Sequence, residues 1–319
     1  MTLFFRRTIS ILTLILIFRG LDAYGQTSSF DRADRALSEL YRKIFPFYYG
    51  NNDSLNYYSD LFAAKLTALV KKNPATLNYP FKILIDSTPC NVVTSADGLF
   101  RIYSWDTQQG GTAHQFSNIF QYRSGGKVHA TDALVGKEDF GSYFTAIYAL
   151  RSNNKTYYLA ISGGSESSRE RYETISIFTI FKDIINDKVK LIKTSGGLSN
   201  SITVEYDIFN LGDSPEDSGS SIRYDADKKI ICIPVVLENG KVTSRYILYQ
   251  FNGQYFAKIP AMSRPKTRLV RKTVKPVITY DCADSLDPLP PEIRTDTLNI
   301  NNLPALQKEI DKNTKGSGK

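Results

Sequence analysis

The stretch Ser95–Thr107, with the sequence SADGLFRIYSWDT, decides the fold of this chain. It opens on the turn dipeptide Asp97-Gly98 and continues as a run in which apolar and polar side chains alternate. Asp-Gly before an alternating run is among the strongest local signals of a β-hairpin. A Gly-rich loop then leads to His114. The stretch therefore predicts a tight turn, a strand and an elaborated loop.

The same pattern returns along the chain. The order strand, tight turn, strand, loop, strand, tight turn, strand occurs three times, over residues 91–131, 144–193 and 202–259. Alternation with a period of two, interrupted by Gly, Asn and Asp, is typical of antiparallel strands. We therefore predict that residues 81–259 form a mainly β domain, with antiparallel meanders of about four strands repeated three times. The turns between the predicted strands include Gly125-Gly126, Ser152-Asn153-Asn154, Asn186-Asp187, Asn239-Gly240 and Asn252-Gly253.

The closure of these meanders stays open at this point. The repeats are unequal in length, and three blades are fewer than a closed β-propeller typically has. An incomplete propeller-like arrangement, one large sheet and a two-sheet sandwich all satisfy the pattern.

Residues 26–80 precede the strands and are predicted to form a helical hairpin packed on the β domain. Apolar side chains recur at the spacing of one buried helix face, first from Phe30 to Ile44 and again from Tyr58 to Val70. Pro46 and Asn73-Pro74 are the expected ends of the two helices. The hairpin is expected to cover a face or an edge of a sheet.

The N-terminus has the pattern of a cleaved secretory signal peptide. Arg6-Arg7 precede the uncharged run Thr8–Phe18, and small residues at Ala23 and Gly25 suit cleavage before Gln26. A membrane-spanning helix needs about 20 apolar residues, so an uncleaved anchor is the less favoured alternative. We expect residues 1–25 to be removed and the mature chain to be periplasmic or extracellular, with no transmembrane segment.

Residues 260–319 differ from the rest in composition and are predicted to be a Pro-rich basic tail, partly disordered. The chain carries a formal charge of +8, of which residues 1–25 contribute +2 and the acid-free segment 264–275 contributes +6. The rest of the mature chain is therefore close to neutral. Because a nucleic-acid-binding protein normally has a broader basic footprint, we expect no nucleic acid partner.

Three cysteines, Cys90, Cys232 and Cys282, do not make a disulfide framework, so the core must supply the stability. Cys232 lies in an isoleucine-rich run and is expected to be a small buried apolar residue. A pairing of Cys90 with Cys282 stays open, because sequence does not supply the geometry.

Sequence motifs of catalysis and cofactor binding are absent from the chain, which has no C-x-x-C, H-E-x-x-H, G-x-S-x-G or phosphate-loop pattern. His114 and His129 are the only histidines, and they do not have zinc-ligand spacing. The acidic insertion 213–219 offers carboxylates to Ca²⁺ but lacks the EF-hand order, so a solvated loop is the better interpretation. We therefore predict no catalytic residue, no cofactor and no metal.

The strongest candidate for a ligand site is the loop from Trp105 to His114. It holds the only tryptophan, one of the two histidines and two glycines, and the matching loop of the second repeat runs from Gly163 to Arg171. Loops from equivalent hairpin ends gather on one side of a sheet, where polar and aromatic side chains bind sugars or peptides. The alternative is that Trp105 is a core residue and the glycines only shape a turn. The predicted ligand-binding residues are Trp105, Asp106, Gln108, His114, Glu166 and Arg169.

Three functions are compatible with these features. The first is an exported, non-catalytic binding or interaction module whose ligand is a glycan, a peptide or an envelope component. The second is a hydrolase that uses carboxylates such as Asp106 and Glu166, which would have to lie about 5–10 Å apart in one pocket. The third is a structural envelope protein without a ligand. The poverty of catalytic motifs favours the first.

Overall fold

The computed structural model describes residues 29–44, 52–135, 141–210 and 222–259, all within one compact unit of the chain. Several predictions lie outside these residues and are not tested by the structure. They concern the signal peptide 1–25, the acidic insertion 213–219, the tail 260–319 and Cys282.

The helical region expected before the strands is confirmed. Helix α1 spans residues 29–42, α2 spans Asn52–Lys72, a 3₁₀ turn spans Pro74–Leu77, and α3 spans Lys82–Ser87. The expected apolar faces of α1 and α2 are buried, among them Leu37, Tyr41, Phe62, Leu66 and Val70.

The period-2 structure was predicted to begin at residue 81, and this was wrong for residues 82–87, which are helical. Tertiary contacts account for the difference. The buried Asp34 carboxylate of α1 accepts hydrogen bonds from the backbone N–H groups of Ile83 and Leu84, at 3.0 and 2.9 Å. A carboxylate in this position satisfies N–H groups that a short helix leaves unpaired. This contact lies about 50 residues away along the chain, so the local pattern does not reveal it.

Sheet 1 is an antiparallel meander in the order β1-β2-β3-β4, and a two-residue strand, β5, pairs with the first part of β3. The strands are β1 Asn91–Thr94, β2 Phe100–Asp106, β3 Phe116–Ser124, β4 Lys127–Ala130 and β5 Leu134–Val135.

Sheet 2 repeats the meander and gains one strand from later in the chain. Its strands are β6 Tyr143–Ser152, β7 Lys155–Ser165, β8 Glu170–Phe181, β9 Ile184–Asn186 and β12 Ser201–Asp207. Both β9 and β12 pair with the edge of β8 that faces away from β7. Strand β12 pairs with residues 170–176 of β8, and β9 pairs with residues 179–181.

Sheet 3 completes the series with a third meander, β13 to β16, extended by the small hairpin β10-β11 along β16. Its strands are β10 Ile192–Thr194, β11 Gly197–Ser199, β13 Arg223–Asp225, β14 Ile230–Val236, β15 Val242–Phe251 and β16 Phe256–Ile259. The mainly β fold with three four-stranded antiparallel meanders is therefore confirmed.

Two details of the strand prediction are corrected. The strand expected to open the third repeat is β12. It belongs to sheet 2 instead of sheet 3, since it pairs with β8 over seven residues. The turn expected at Asn186-Asp187 lies at Lys182-Asp183 instead. Asn186 does form a turn, since its side chain accepts a hydrogen bond from the Lys188 N–H at 2.9 Å, but this turn leads the chain out of sheet 2.

The described residues form a row of four layers, which are the helices, sheet 1, sheet 2 and sheet 3. One core cluster packs α1 and α2 against Tyr103 and Trp105 of β2. A second packs Phe100 and Ile102, from the opposite face of β2, against sheet 2. A third lies between sheets 2 and 3. All seven residues of β2 are buried because this strand is covered on both faces. The sequence left three arrangements open. The described residues form neither one large sheet nor a two-sheet sandwich, because they contain three separate sheets. These sheets follow one another in chain order, as the blades of a propeller do.

The row has two distinct ends. At the loop end lie the β2–β3 loop 107–115, the β7–β8 loop 166–169 and the β14–β15 turn 237–241. The remaining hairpins of the three meanders turn at the opposite end, the turn end. Contacts between sheets confirm this alignment, since the Asp207 N–H donates to the Gly240 carbonyl at the loop end and the Tyr122 hydroxyl donates to the Asp183 carbonyl at the turn end.

No helix in the described residues is long and apolar enough to cross a membrane. Cys90 and Cys232 are free thiols. Cys90 is fully buried, and burial raises the pKa of its thiol. Cys232 is only partly buried, which corrects its assignment to the core: Ile231 and Ile233 point into the space between sheets 2 and 3, so alternation places Cys232 on the other face of β14.

Candidate functional site

The β2–β3 loop is organised by an aspartate–histidine pair. The Oδ2 atom of Asp106 lies 2.6 Å from Nδ1 of His114, and its Oδ1 atom accepts a hydrogen bond from the Gln108 N–H at 2.7 Å. The Asp106 side chain is 7% exposed and that of His114 is 17% exposed. The His114 ring also stacks on Phe116, with ring centroids 6.2 Å apart. Two of the predicted site residues are therefore in direct contact, and part of the imidazole faces solvent.

The two ends of the β2–β3 loop lie close together, and the backbone packing inside the loop accounts for the glycine at position 110. The Thr107 N–H donates to the Gln115 carbonyl, and the Thr107 hydroxyl donates to the same carbonyl. At Gly110 a Cβ atom would lie 2.0 Å from the carbonyl oxygen of Ala113, which no side chain tolerates. Gly110 therefore permits the close approach that closes the loop.

Trp105 is not available to a ligand, which corrects its place among the predicted binding residues. Its side chain is fully buried between sheet 1 and the helices, and its ring packs against Phe62 with the centroids 5.6 Å apart. Alternation along β2 puts Trp105 on the same face as Tyr103, under the helices. The alternative reading of Trp105 as a core residue is the one that the structure supports.

Gln108, which has φ = 62°, combines an unusual backbone conformation with an unmatched side chain. It is 7% exposed, and its Nε2 atom has no hydrogen-bond partner among the described residues. In the neighbouring sheet, the buried Ser165 Oγ at the end of β7 is also unmatched within that part of the chain. Buried polar atoms are nearly always hydrogen-bonded, so these two are places where a water or a ligand group can bind.

The β7–β8 loop carries the other two predicted site residues. Glu166 is exposed, and its N–H donates to the Glu170 carbonyl across the loop. Arg169 forms an ion pair with the buried Asp207 through both Nε and Nη2. About 60% of the Arg169 side chain remains exposed. This loop is therefore tied to the end of β12 by a charged contact.

Aromatic contacts connect the two loops. Phe116, at the end of the β2–β3 loop, lies 5.6 Å from the ring of Tyr143 on β6. Tyr143 pairs with Gly163 of β7, three residues before Glu166. The two loops thus belong to the same end of neighbouring sheets, as the sequence predicted. Of the six candidates, Trp105 lies under the helices, Asp106 and Gln108 are buried within the loop, and His114, Glu166 and Arg169 are the ones that reach the surface.

Three exposed apolar residues at the loop end were not predicted. Tyr57 is 61% exposed beside Asn56, whose side chain accepts a hydrogen bond from Gln109 at 2.9 Å. Phe209 is 69% exposed after β12, and Leu237 is 44% exposed in the β14–β15 turn. The sequence did contain a sign that Phe209 lies outside the strand. Apolar residues alternate at Val204, Tyr206 and Ile208, and Phe209 breaks this alternation.

Glu173 is the one carboxylate in the described residues whose pKa is clearly shifted upward. Burial between sheets 2 and 3 raises its pKa to about 7, although the N–H of Ile222 donates to Oε2 at 2.8 Å and Arg223 lies near. Burial and the nearby Glu173 raise the pKa of Tyr206. Glu173 is a buried structural acid rather than a member of the loop-end site.

No group of three or more potential metal ligands is assembled in the described residues. No known protein family, curated protein or solved structure matches this chain.

Proposed function

We propose that this protein is an exported, non-catalytic binding module that holds an extended ligand, a glycan chain or a peptide, across its loop end. The observation that carries the proposal is the placement of Tyr57, Phe209 and Leu237, which are exposed at the same end as His114 and Arg169. Exposed apolar side chains interleaved with polar ones are typical of surfaces that bind sugars and peptides.

The shape of this end favours a polymer over a small molecule. Tyr57 lies in the helical layer, His114 in sheet 1, Phe209 beside sheet 2 and Leu237 in sheet 3. Because packed layers are roughly 10 Å apart, the outer two residues are about 30 Å from each other. An extended peptide of about nine residues spans that distance. Gln108 and Ser165 add buried polar atoms that a ligand or a bridging water can satisfy.

The site geometry does not favour the hydrolase alternative. Asp106 is buried, and both of its carboxylate oxygens are engaged, one by His114 and one by the Gln108 N–H. Glu166 is exposed on the next loop. Acid–base cleavage of a glycoside needs two carboxyl groups that face one bond, one of them free to protonate it.

The export part of the proposal rests on the N-terminal sequence alone. The basic start, the short uncharged run and the small residues before Gln26 support secretion into the periplasm or the medium. N-terminal sequencing of the protein recovered from those fractions tests it. We expect a chain that begins at Gln26, and a membrane-bound chain that begins at Met1 would contradict it.

The binding part is tested by screening the mature chain against immobilised glycans and peptides. Any ligand found is then compared between the wild type and two single variants, Phe209→Ser and Phe181→Ser. These rings are similarly exposed, at 69% and 65%, but Phe181 lies at the turn end. We expect Phe209→Ser to weaken binding and Phe181→Ser to leave it unchanged. An absence of any ligand would favour the structural envelope protein instead.

A further inference from the structure

The β8–β9 hairpin places two large apolar side chains at the turn end of the molecule. Phe181 and Ile184 face each other as the last cross-strand pair of the hairpin. Each is 65% exposed. A cross-strand apolar pair of this kind normally lies on the buried face of a sheet, so its exposure at a hairpin tip marks a candidate contact surface.

The turn between these residues is conformationally costly. Lys182 has φ = 49° and Asp183 has φ = 63°, both in the left-handed region. The equivalent two-residue turns beside it use residues that tolerate this region, Gly125-Gly126 and Asn153-Asn154. Lysine tolerates it less well than glycine or asparagine, and such strain clusters at functional positions. Lys182 therefore stands in this turn although the backbone conformation there favours glycine or asparagine.

The tip is held firmly by sheet 1. The Tyr122 hydroxyl donates to the Asp183 carbonyl at 3.0 Å, and the Tyr122 ring stacks on His129. Nε2 of His129 lies 3.5 Å from Oδ1 of Asp183, which is an ion-pair distance but too long for a good hydrogen bond. Phe181 and Ile184 are thus presented by an anchored hairpin.

The charge around the tip is positive. The four hairpin turns of sheets 1 and 2 at this end carry five exposed basic side chains, Arg123, Lys127, Arg151, Lys155 and Lys182. Their acidic residues are Asp97, which accepts hydrogen bonds from the Ser95 and Tyr158 hydroxyls, and Asp183, whose side chain is about half exposed, at 52%. Five cations against two carboxylates give these four turns a net charge of +3.

We propose that the turn end docks on an anionic lipid surface, with Phe181 and Ile184 inserted among the acyl chains and the surrounding cations against the headgroups. Apolar side chains at the tip of a projecting element with cations around them match the requirements of a membrane interface. Lys182 is suited to this position because its apolar stem follows the Phe181 ring, with Nζ 5.3 Å from the ring centroid, while its charge stays at the headgroups. Docking in this way points the loop end away from the membrane, toward solution.

A lipid surface fits the tip better than a protein does. The apolar area consists of two side chains at the end of a hairpin, whereas a specific protein interface buries roughly 800 Å² on each partner. Two side chains are enough for reversible membrane association when electrostatic attraction adds to them.

The test is cosedimentation of the full mature chain with vesicles of phosphatidylcholine alone or with about 30% phosphatidylglycerol. We expect binding to the anionic vesicles only, weakened by added salt. The double variant Phe181→Ser/Ile184→Ser should bind about tenfold less or weaker still, because the inserted apolar area is lost. Tyr57→Ser is the matched control, since Tyr57 is 61% exposed at the opposite end, and it should bind like the wild type.

A second measurement locates the contact. Phe181→Trp should show a blue-shifted emission and quenching by brominated lipid on anionic vesicles, whereas Tyr57→Trp should show neither. Equal cosedimentation of the wild type and the double variant would overturn the proposal and point to the basic segment 264–275. Failure of the wild type to bind either kind of vesicle, or capture of the tip by a protein in preference to lipid, would overturn it as well.

Discussion

Nδ1 of His114 lies 2.6 Å from Oδ2 of Asp106, across the neck of the β2–β3 loop. The second oxygen of the same carboxylate accepts the Gln108 N–H. A single buried carboxylate at the end of a strand thus fixes both the first residues of the loop and the histidine that closes it.

The same arrangement occurs at the end of β12. Oδ1 of Asp207 accepts the Phe209 N–H at 2.9 Å, two residues on, and Oδ2 pairs with the guanidinium of Arg169. Asp207, like Asp106, is buried. Two strand-end aspartates at the loop end therefore each hold a basic side chain and order the backbone that follows. Such preorganisation would lower the entropic cost of binding for the ligand that we propose.

We expect Asp106→Ala to lower the free energy of unfolding by about 1–3 kcal/mol, because the Gln108 N–H and the His114 imidazole lose their partner. Asp106→Asn is the control, since its side-chain oxygen can still accept the Gln108 N–H, and it should cost less. Urea denaturation measures both. Equal stability of Asp106→Ala and the wild type would show that the pair does not anchor the loop.

Gly110→Ala should disturb the β2–β3 loop without unfolding the sheets. The new Cβ atom would lie 2.0 Å from the Ala113 carbonyl oxygen, so the loop must open. The matched control is Gly111→Ala. There φ is +61° and the new Cβ atom would have no atom within 4 Å beyond its chain neighbours, so the substitution adds only backbone strain of about 1 kcal/mol. Hydrogen exchange over residues 107–115 should rise much more in Gly110→Ala. Similar exchange in the two variants would mean that the close approach is unimportant.

Glu173→Gln should remove a dependence of stability on pH. The folded protein holds the Glu173 proton up to about pH 7, whereas the unfolded chain releases it near the ordinary pKa of 4.5. The stabilisation from the protonated form is therefore complete below pH 4.5 and is lost as the pH rises through 7. We expect the variant and the wild type to be similar at pH 4.5, and the variant to be more stable by about 3 kcal/mol at pH 8. Parallel stability curves for the two proteins would contradict a buried, protonated Glu173.

Lys182→Gly should stabilise the protein by about 0.5–1 kcal/mol, because glycine adopts a positive φ without the strain that lysine has there. Lys182→Ala removes the same charge but keeps the strain, so it should give no such gain. Thermal unfolding distinguishes the two. A gain in both variants would assign the effect to charge instead of to the turn.

The strands were predictable because their signals are local. Asp97-Gly98 and Gly125-Gly126 mark tight turns, and alternation fixes which residues of β2 share a face. The placement of β12 was not predictable, since its alternating pattern suits an edge of sheet 2 and an edge of sheet 3 equally. Its register on β8 is a tertiary choice.

The site was predictable in part for the same reason. Glycines and a strand-end aspartate marked the β2–β3 loop, but nothing local distinguishes the two faces of β2. Trp105 and Asp106 are neighbours in sequence and point to opposite faces, and Trp105 is buried by helices α1 and α2, which lie far from it along the chain. Phe209 was missed because it was assigned to a strand that in fact ends at Asp207.

The most direct test of the account is hydrogen exchange of the mature chain with and without a saturating ligand from the glycan and peptide screen. A loop-end site predicts slower exchange in residues 107–115, 166–169 and 237–241, with no change in the turn at Lys182-Asp183. Protection confined to the turn end, with the three loop-end segments unchanged, would contradict it.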